Sequence, residues 1–427
     1  LGTKEQDVLI PSIDLMGGKA VQLRRGNPND CVVTVDDPLA LAREFARYGE
    51  VAVIDLDAAL GLGDNLALIE QITAQVECRV GGGIRDHARA DRLLRAGARK
   101  IILGTAATPE FLSKYPKEQV IVALDAKKGK VVTQGWTAET ADTPVERARL
   151  LTPYCSEFLF TVVDREGMMG GTDLAAVQAV VEATSNHVVA AGGITTVDEV
   201  VALDRMGASC QLGMAIYTGK LDLADAFTAC LDWDKVGGLM PVVTQDVAGQ
   251  VLMVAHASPE ALRQTLLTGT GTYWSRSRKS LWKKGDTSGH VQDVRTVRWD
   301  CDRDTLLYTV TQHGHACHLP QQSCFGDAWF NLGHLQKILQ DRKENADPGS
   351  FTAKLLNNRE LLHSKILEEA KELTEAESDR EAVWEAADVL YFVLAELTRR
   401  GLSLEQVEKE LRGRHGRRRE PNPAKGH

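Results

Sequence analysis

His187-Val188-Val189-Ala190-Ala191-Gly192-Gly193-Ile194 is the stretch on which the fold of the first half of this chain turns. Four apolar residues run straight into a glycine pair, the pattern of a strand buried on both faces that meets a tight turn. Gly82-Gly83-Ile84 stands 110 positions upstream, Asp14 and Asp125 lie 111 apart, and Gly104-Thr105-Ala106 precedes Gly213-Met214-Ala215 by 109. A fixed period means one structural unit used twice. Around these markers, eight short apolar runs alternate with helix-like stretches: Val8–Asp14, Val51–Asp57, Glu77–Val80, Lys100–Thr105, Val120–Asp125, Glu157–Asp164, His187–Ala191 and Ala208–Met214. Eight βα units in this length predict a closed (β/α)8 TIM barrel built as two half-barrels.

The repeat also predicts a site. Glycine turns at Gly82, Gly83, Gly192 and Gly193 would offer backbone N–H groups to phosphate on opposite sides of one mouth. That suits a long substrate with a phosphate at each end. Asp14 and Asp125 would face each other at the catalytic end as an acid and a base. An Asp at a strand end can equally be a helix cap, but two at equivalent points of a repeat favour chemistry. The strings Ile10-Pro11-Ser12-Ile13-Asp14-Leu15-Met16-Gly17-Gly18-Lys19-Ala20-Val21, Gly81-Gly82-Gly83-Ile84-Arg85 and Gly135-Trp136 resemble the ProFAR isomerase family of histidine biosynthesis, over roughly residues 7–235. The resemblance implies an Amadori rearrangement of a bisphosphorylated aminoaldose without metal or cofactor. It implies Asp14 as general base, Asp125 as general acid, Thr161 assisting, and the glycine turns with Arg85 on the phosphates. Val162, and Met168 after Arg165-Glu166-Gly167, stand where that family carries Asp and Thr. The alternative reading is therefore a barrel kept as a non-catalytic scaffold.

After a Gly237-Gly238 hinge the βα rhythm stops and the chain reads as β-rich, with one helix over Pro259–Leu267. Between Trp299 and Phe325 stand three thiols, three alternating carboxylates and three histidines, two of them, His315 and His318, flanking Cys317. Asp300, Asp302 and Asp304 at alternate positions are expected to share one face of an extended segment, as a magnesium site needs, with Cys301 on the other face. Cys301, Cys317 and Cys324 do not form a Cys-x-x-Cys knuckle; three sulfurs leave a position for water, which catalytic zinc requires. A structural metal completed by His315 or His318 is the other reading. Upstream, Arg276, Arg278, Lys284, Thr287 and Ser288 mix cations and hydroxyls in a way that suits phosphate oxygens and a nucleobase, or simply a solvated basic loop. These strings resemble phosphoribosyl-AMP cyclohydrolase over about residues 240–328. The resemblance implies opening of the adenine ring at N1–C6, zinc on the three cysteines across a dimer interface, and magnesium on the three aspartates. Asp286 stands where that family has Glu.

From Leu332 the pattern is helical. Ser378-Asp379-Arg380-Glu381 reads as a capping box that opens a new helix. Glu369 and Glu372 lie three apart on the helix before it, and Glu385 and Asp388 three apart on the helix after it. Packed antiparallel, these helices would converge four carboxylates on one point, suited to magnesium holding a di- or triphosphate. Leu367, Ala370 and Leu373 with Val383, Ala387, Leu390 and Leu394 are expected to form the seam. With Pro348-Gly349-Ser350-Phe351-Thr352-Ala353-Lys354-Leu355-Leu356 upstream, residues 329–412 resemble phosphoribosyl-ATP pyrophosphohydrolase. That resemblance implies cleavage of the α–β phosphate bond and places Lys354 among the substrate-binding residues.

The whole chain of 427 residues, 43% hydrophobic and 26% charged with a net charge of −9, has no apolar run long enough for a membrane span, and its acidity disfavours a nucleic-acid surface. Eight cysteines, of which Cys31, Cys78, Cys155, Cys210 and Cys230 read as buried apolar residues, fit a reducing compartment rather than disulfides. The expectation is a multidomain protein: a TIM barrel over 7–238, a small α+β metal domain over 239–328, an all-α domain over 329–412 and a disordered basic tail over 413–427. It is expected to use zinc and magnesium on small phosphoribosyl nucleotides and, from its family resemblances, to form a homodimer. The cytoplasm is its expected location, and because the sequence opens at Leu1, a plastid after removal of a transit segment stays open beside it.

Overall fold

The computed structural model describes residues 7–133, 138–326, 330–345 and 349–415, without the side chains of residues 25 and 412–415. The expectations made on Gly135-Trp136, Pro348 and residues 416–427 lie outside the described residues.

Eight strands follow one another as β1 (Leu9–Met16), β2 (Val51–Asp55), β3 (Cys78–Gly81), β4 (Lys100–Leu103), β5 (Val120–Lys127), β6 (Glu157–Val162), β7 (His187–Ala191) and β8 (Ala208–Leu212). Every neighbouring pair is parallel; β8 pairs with β1, and β5 with both β4 and β6, so the sheet closes into a barrel. Helices that follow the strands cover it, among them α1 (Pro38–Phe45), α2 (Leu66–Gln75), α3 (His87–Arg95), α4 (Pro109–Leu112), α5 (Pro144–Leu151), α6 (Leu174–Ala183), α7 (Val197–Arg205) and α8 (Leu223–Ala229). Side chains pointing inward, among them Ile10, Ala52, Ile121, Leu159 and Val189, pack the barrel axis, while those pointing outward pack under the helices. One end is closed by a buried ion network in which Arg79 sits between Glu50 and Glu157 (Nη1 to Glu157 Oε2, 2.7 Å). The other end, at the C-termini of the strands, is open.

Two strands run further than the sequence suggests. β1 continues past Asp14 into an antiparallel hairpin with Lys19–Leu23, and β5 continues past Asp125 to pair with Lys130–Thr133. The first hairpin carries an outer strand, Cys31–Val35, and this leaves Cys31 exposed rather than buried, because that strand overhangs the barrel instead of joining it. The other four isolated cysteines are buried.

A second sheet has the order β10 (Val251–Ala257), β9 (Met240–Asp246), β14 (Leu306–Gln312), β13 (Gln292–Trp299), antiparallel except for the β9–β14 pair. Helix α9 (Pro259–Thr268) and a separate hairpin of β11 (Thr272–Ser275) and β12 (Ser280–Lys283) complete this region. Its core is continuous with that of the barrel, through Phe227 against Trp299 at 4.5 Å between ring centres. Polar ties follow the same seam: Arg263 reaches Asp225 at 2.7 Å and Asp222 at 3.1 Å, and Arg47 donates to Leu267 O at 3.0 Å.

The third region is all helix: α10 (Leu332–Glu344), α11 (Phe351–Asn357), α12 (Arg359–Glu375), α13 (Asp379–Arg400) and α14 (Leu404–His415). Helix α14 runs three residues into the stretch expected to be a disordered tail. Ser378 caps α13 by accepting from Glu381 N, but the reciprocal bond expected of a capping box goes elsewhere, from Glu377 N to Glu381 Oε2. Lys337 anchors this region to the second sheet through Asp246 (2.6 Å), and Lys409 donates to Thr73 O near the end of α2 and to Val76 O just beyond it (3.1 Å). The expected apolar seam is corrected in part by the packing. Leu394 is buried as expected, but Leu367 and Val383 are 72% and 71% exposed, and Leu339, Leu355, Leu362 and Phe392 complete the core with Leu394. The hairpin turns its acidic stripe inward and leaves an apolar stripe outside, because an amphipathic pattern fixes which residues share a face and not which face the chain itself covers.

Candidate active site and acidic clusters

The open end of the barrel holds a cavity of about 310 Å³, lined among others by Asp14, Asp125, Thr161, Arg85 and the four turn glycines. Strand register brings these groups together. Asp125 is level with Thr161 across the β5–β6 pair, and Thr161 is level with Ala191 just before Gly192. Asp14 is level with Ile54 on one side and Val21 on the other. Those apolar flanks strip it of water and push its carboxyl up to about 6, against a hydrogen bond from Ser12 Oγ (3.0 Å) that favours the ionised form. Tyr217 Oη donates to Ser12 O at 2.9 Å and holds that end of β1 in place.

The sequence reading missed a third carboxyl. Glu166, in the loop after β6, lines the same cavity, and its proton affinity is pushed up to about 7, first by desolvation and then by the charges of Asp14 and Asp125. Its only signal was a polar residue five positions beyond Thr161, at the end of a barrel strand. Gln22 and Gln211 also line the cavity; Gln22 Nε2 and Gln211 Oε1 are buried without a hydrogen-bond partner. Three carboxyl groups around one cavity can add a proton at one atom of a substrate and remove one at another.

The turn glycines are forced by space as well as by conformation. Gly82 and Gly192 have φ of 95° and 91°, and a Cβ would lie 2.2 Å from Asp55 O at the first and 2.7 Å from Val162 O at the second. The helices behind the turns are capped, α3 by Asp86 on Arg89 N and α7 by Thr196 with Glu199. Arg85 lines the mouth with its guanidinium on Ala58 O (3.2 Å) and Ala59 O (2.6 Å).

In the second region Asp300, Asp302 and Asp304 offer oxygens within 4.8 Å of one another. The reason differs from the one the sequence suggested. The three lie in the turn between β13 and β14 rather than on an extended strand; Asp300 Oδ1 accepts from Asp304 N (3.0 Å) and Thr305 N (3.1 Å), and Arg303 takes a φ of 61°. The turn, not pleating, converges the carboxylates. Arg303 in turn grips Asp204 of α7 and donates to Cys230 O at 3.1 Å. Of the three thiols, Cys317 and Cys324 adjoin, and the Cys324 thiol is held above its ordinary range by burial first and by Cys317 second, with the buried Lys284 acting the other way. Cys301 stays in the aspartate turn, its Sγ 4.0 Å from Asp302 Oδ1. One chain therefore brings two of the three sulfurs together. Arg276 and Arg278 lie on the exposed β11–β12 hairpin, with Arg278 5.9 Å over the Trp282 ring; Thr287 and Ser288 are exposed in the following loop.

In the helical region Glu369, Glu385 and Asp388 converge within 4.8 Å between α12 and α13, with Glu369 only 8% exposed. Glu372 stands outside this trio, yet desolvation and then the charges of Glu372, Glu369 and Asp388 all raise the proton affinity of Glu385. Crowded like charges of this kind are what a cation relieves. Lys354 is exposed on α11.

Comparison with known proteins agrees with this three-part layout. Residues 8–222 match the histidine biosynthesis protein family, 253–326 the phosphoribosyl-AMP cyclohydrolase family and 332–415 the phosphoribosyl-ATP pyrophosphohydrolase family. A ProFAR isomerase of Methanosarcina mazei is 40% identical over 239 residues, 52% of this chain and 97% of that protein. A histidine biosynthesis trifunctional protein of Kluyveromyces lactis is 43% identical over 184 residues, 43% of this chain, and the match spans only 23% of that longer protein. A histidine biosynthesis bifunctional protein of Schizosaccharomyces pombe is 40% identical over 197 residues, 46% of this chain and 47% of its own length. The chain belongs to the histidine biosynthesis protein family and is built as a multifunctional enzyme, with cyclohydrolase and pyrophosphohydrolase domains joined in series behind an isomerase barrel.

Proposed function

We propose that this one chain acts three times on a phosphoribosyl adenine nucleotide. The helical domain releases pyrophosphate from phosphoribosyl-ATP, the second domain opens the adenine ring of phosphoribosyl-AMP to ProFAR, and the barrel isomerises ProFAR by an Amadori rearrangement. The observation that carries the reading is that three separate constellations, each suited to one of these reactions, lie in the three matched regions. In the barrel, Asp125 protonates the ring oxygen of the aminoaldose as the ring opens. Asp14, ionised above about pH 6, then takes the proton from C2, and Glu166 is the neighbouring group able to exchange protons near neutrality. These residues favour a working isomerase over a retained scaffold.

Magnesium would be held by Glu369, Glu385 and Asp388 with Glu372 adjoining, where it supplies neutralisation of phosphate charge. Magnesium at Asp300, Asp302 and Asp304 and zinc on cysteine sulfur would supply the second domain with electrostatic stabilisation and an acidified water. Cys317 and Cys324 adjoin while Cys301 stands apart, so we assign the third sulfur to Cys301 of a partner subunit and the assembly to a homodimer. The exposed apolar stripe of Leu367, Val383 and Trp384 supports a second copy as its cover. No described helix is long and apolar enough to cross a membrane. Eight free cysteines fit a reducing compartment, the cytoplasm or the plastid interior.

The deciding experiment supplies the purified chain with phosphoribosyl-ATP, magnesium and zinc and follows products by mass and chromatography. Pyrophosphate, then ProFAR, then its isomer are expected in sequence. Accumulation of ProFAR with no isomer would reduce the protein to a bifunctional enzyme on a barrel scaffold.

A further inference from the structure

The turn that carries Asp300, Asp302 and Asp304 already holds a cation of the chain's own. Lys235, in the segment joining the barrel to the second sheet, places Nζ 2.5 Å from Asp302 Oδ2 and 2.7 Å from Asp304 Oδ2. Two of the three converging carboxylates are thereby bridged by one ammonium, a compact charge with three donors that can sit where a small divalent ion would. The third, Asp300, is occupied in shaping the turn.

Lys235 is held opposite the triad by local structure. Its N–H donates to Asp232 Oδ1 (3.1 Å), and Asp232 N donates to Arg303 O (3.2 Å), so the lysine and the aspartate turn are stitched together at their bases. The bridge is exposed, with Lys235 and Asp302 side chains 41% and 57% accessible, and exposed ion pairs add little to stability. The fork from Arg303 to the largely buried Asp204 is the contact that fixes the turn to the barrel. The Lys235 bridge is therefore a displaceable occupant beside a permanent anchor.

We propose that Lys235 is an internal competitor for the aspartate triad, a positioning residue that a divalent ion must displace, so that the junction with the barrel sets the metal affinity of the second domain. The inference rests on the reading of the triad as a metal site. Withdrawal of the ammonium frees the Oδ2 atoms of Asp302 and Asp304 for the ion, whereas a lysine that merely supports the turn would, when removed, loosen the site. The sign of the change separates the two.

The test is Mn2+ binding to the full chain, read from the loss of the free-ion EPR signal, with Glu369→Gln present throughout to silence the helical cluster. Lys235→Gln and Lys235→Met are expected to bind Mn2+ about five-fold more tightly than the parent, because the fraction of competent sites rises when the competitor is gone. Lys235→Arg, which keeps a cation, is expected to stay within about two-fold of the parent. Equal or weaker binding in both neutral variants, with the site still present, would overturn the proposal. Asp302→Asn separates this from failure of the underlying reading: if it leaves Mn2+ binding unchanged, the triad is not a metal site, and the role of Lys235 falls with it.

Discussion

The barrel and the second domain solve the same problem in opposite ways. Asp14, Asp125, Thr161 and Glu166 are scattered over about 150 residues, yet one closed sheet, with the loop after β6, brings all four to a single cavity within one chain. Cys301, Cys317 and Cys324 fall within 24 residues, and one chain unites only two of them. Nearness in sequence is thus a poor guide to nearness in space. A closed architecture fixes its site through strand register, which no surface loop can slip; a loop-borne cluster depends on what packs against it. The barrel should behave as a monomeric catalyst and the second domain as one that needs a partner.

The largest expected effect addresses that contrast. Cys317→Ala should abolish ring opening and zinc retention, with pyrophosphate release kept within about two-fold. Mixing Cys317→Ala with Cys301→Ala protein and allowing subunits to exchange should restore about a quarter of the parental ring opening, because half the dimers are mixed and each has one of two shared sites intact. If mixing restores nothing while exchange is shown by tagged copies, the site is completed within one chain and the contrast collapses.

Asp14→Asn comes next. Isomerisation should fall about 10³-fold while the two hydrolytic steps continue, which is the scale of general-base catalysis. The same change should raise the melting temperature at pH 7.5. The folded carboxyl titrates near 6, above its ordinary 3.8, so ionisation destabilises the fold as pH rises through that window, and an amide removes the cost. A drop in melting temperature would show that the carboxylate is well paired instead.

A smaller effect probes the seam between the two regions. Asp204→Asn should cost about 1–2 kcal/mol by weakening the Arg303 fork, measured as a lower midpoint in urea. It should also weaken Mn2+ binding at the aspartate turn, opposite in sign to Lys235→Gln. Two substitutions on one seam with opposite effects on one affinity would separate anchor from competitor.

The barrel was legible because strands buried on both faces must be apolar runs, and because the glycines after β3 and β7 sit where no side chain fits. The matching positions of Asp14 and Asp125 followed from the repeat. Glu166 was not legible, since nothing local distinguishes it from any exposed loop glutamate; its proton affinity is raised first by burial in the assembled mouth and then by two residues 152 and 41 positions away. The aspartate triad was recognised for a reason the structure replaces: alternating residues share a face on a strand, but here a turn held by Asp300 performs the convergence. The helical acidic trio was found while its surroundings were inverted, with Leu367 outside and Glu369 inside. Periodicity gave the faces and could not say which one this chain would bury. Lys235 could not be anticipated, because it reaches the triad from 67 positions upstream across a domain junction.

The smallest expected effect is a shift in pH dependence that sharpens the picture of the barrel as self-contained. If Asp14 must be ionised to take a proton, isomerase kcat/KM should rise with pH along a limb near 6. The hydrogen bond from Ser12 Oγ favours the carboxylate, so Ser12→Ala should move that limb upward by about half a unit. Glu166→Gln should leave the limb where it is, because a carboxyl held near 7 is mostly uncharged while Asp14 titrates near 6. Neither result should depend on protein concentration, whereas ring opening should fall on dilution as dimers separate. A limb that stays fixed in Ser12→Ala, or that moves in Glu166→Gln, would mean that the group titrating near 6 is not Asp14, and the assignment of the base would pass to another carboxyl of the mouth.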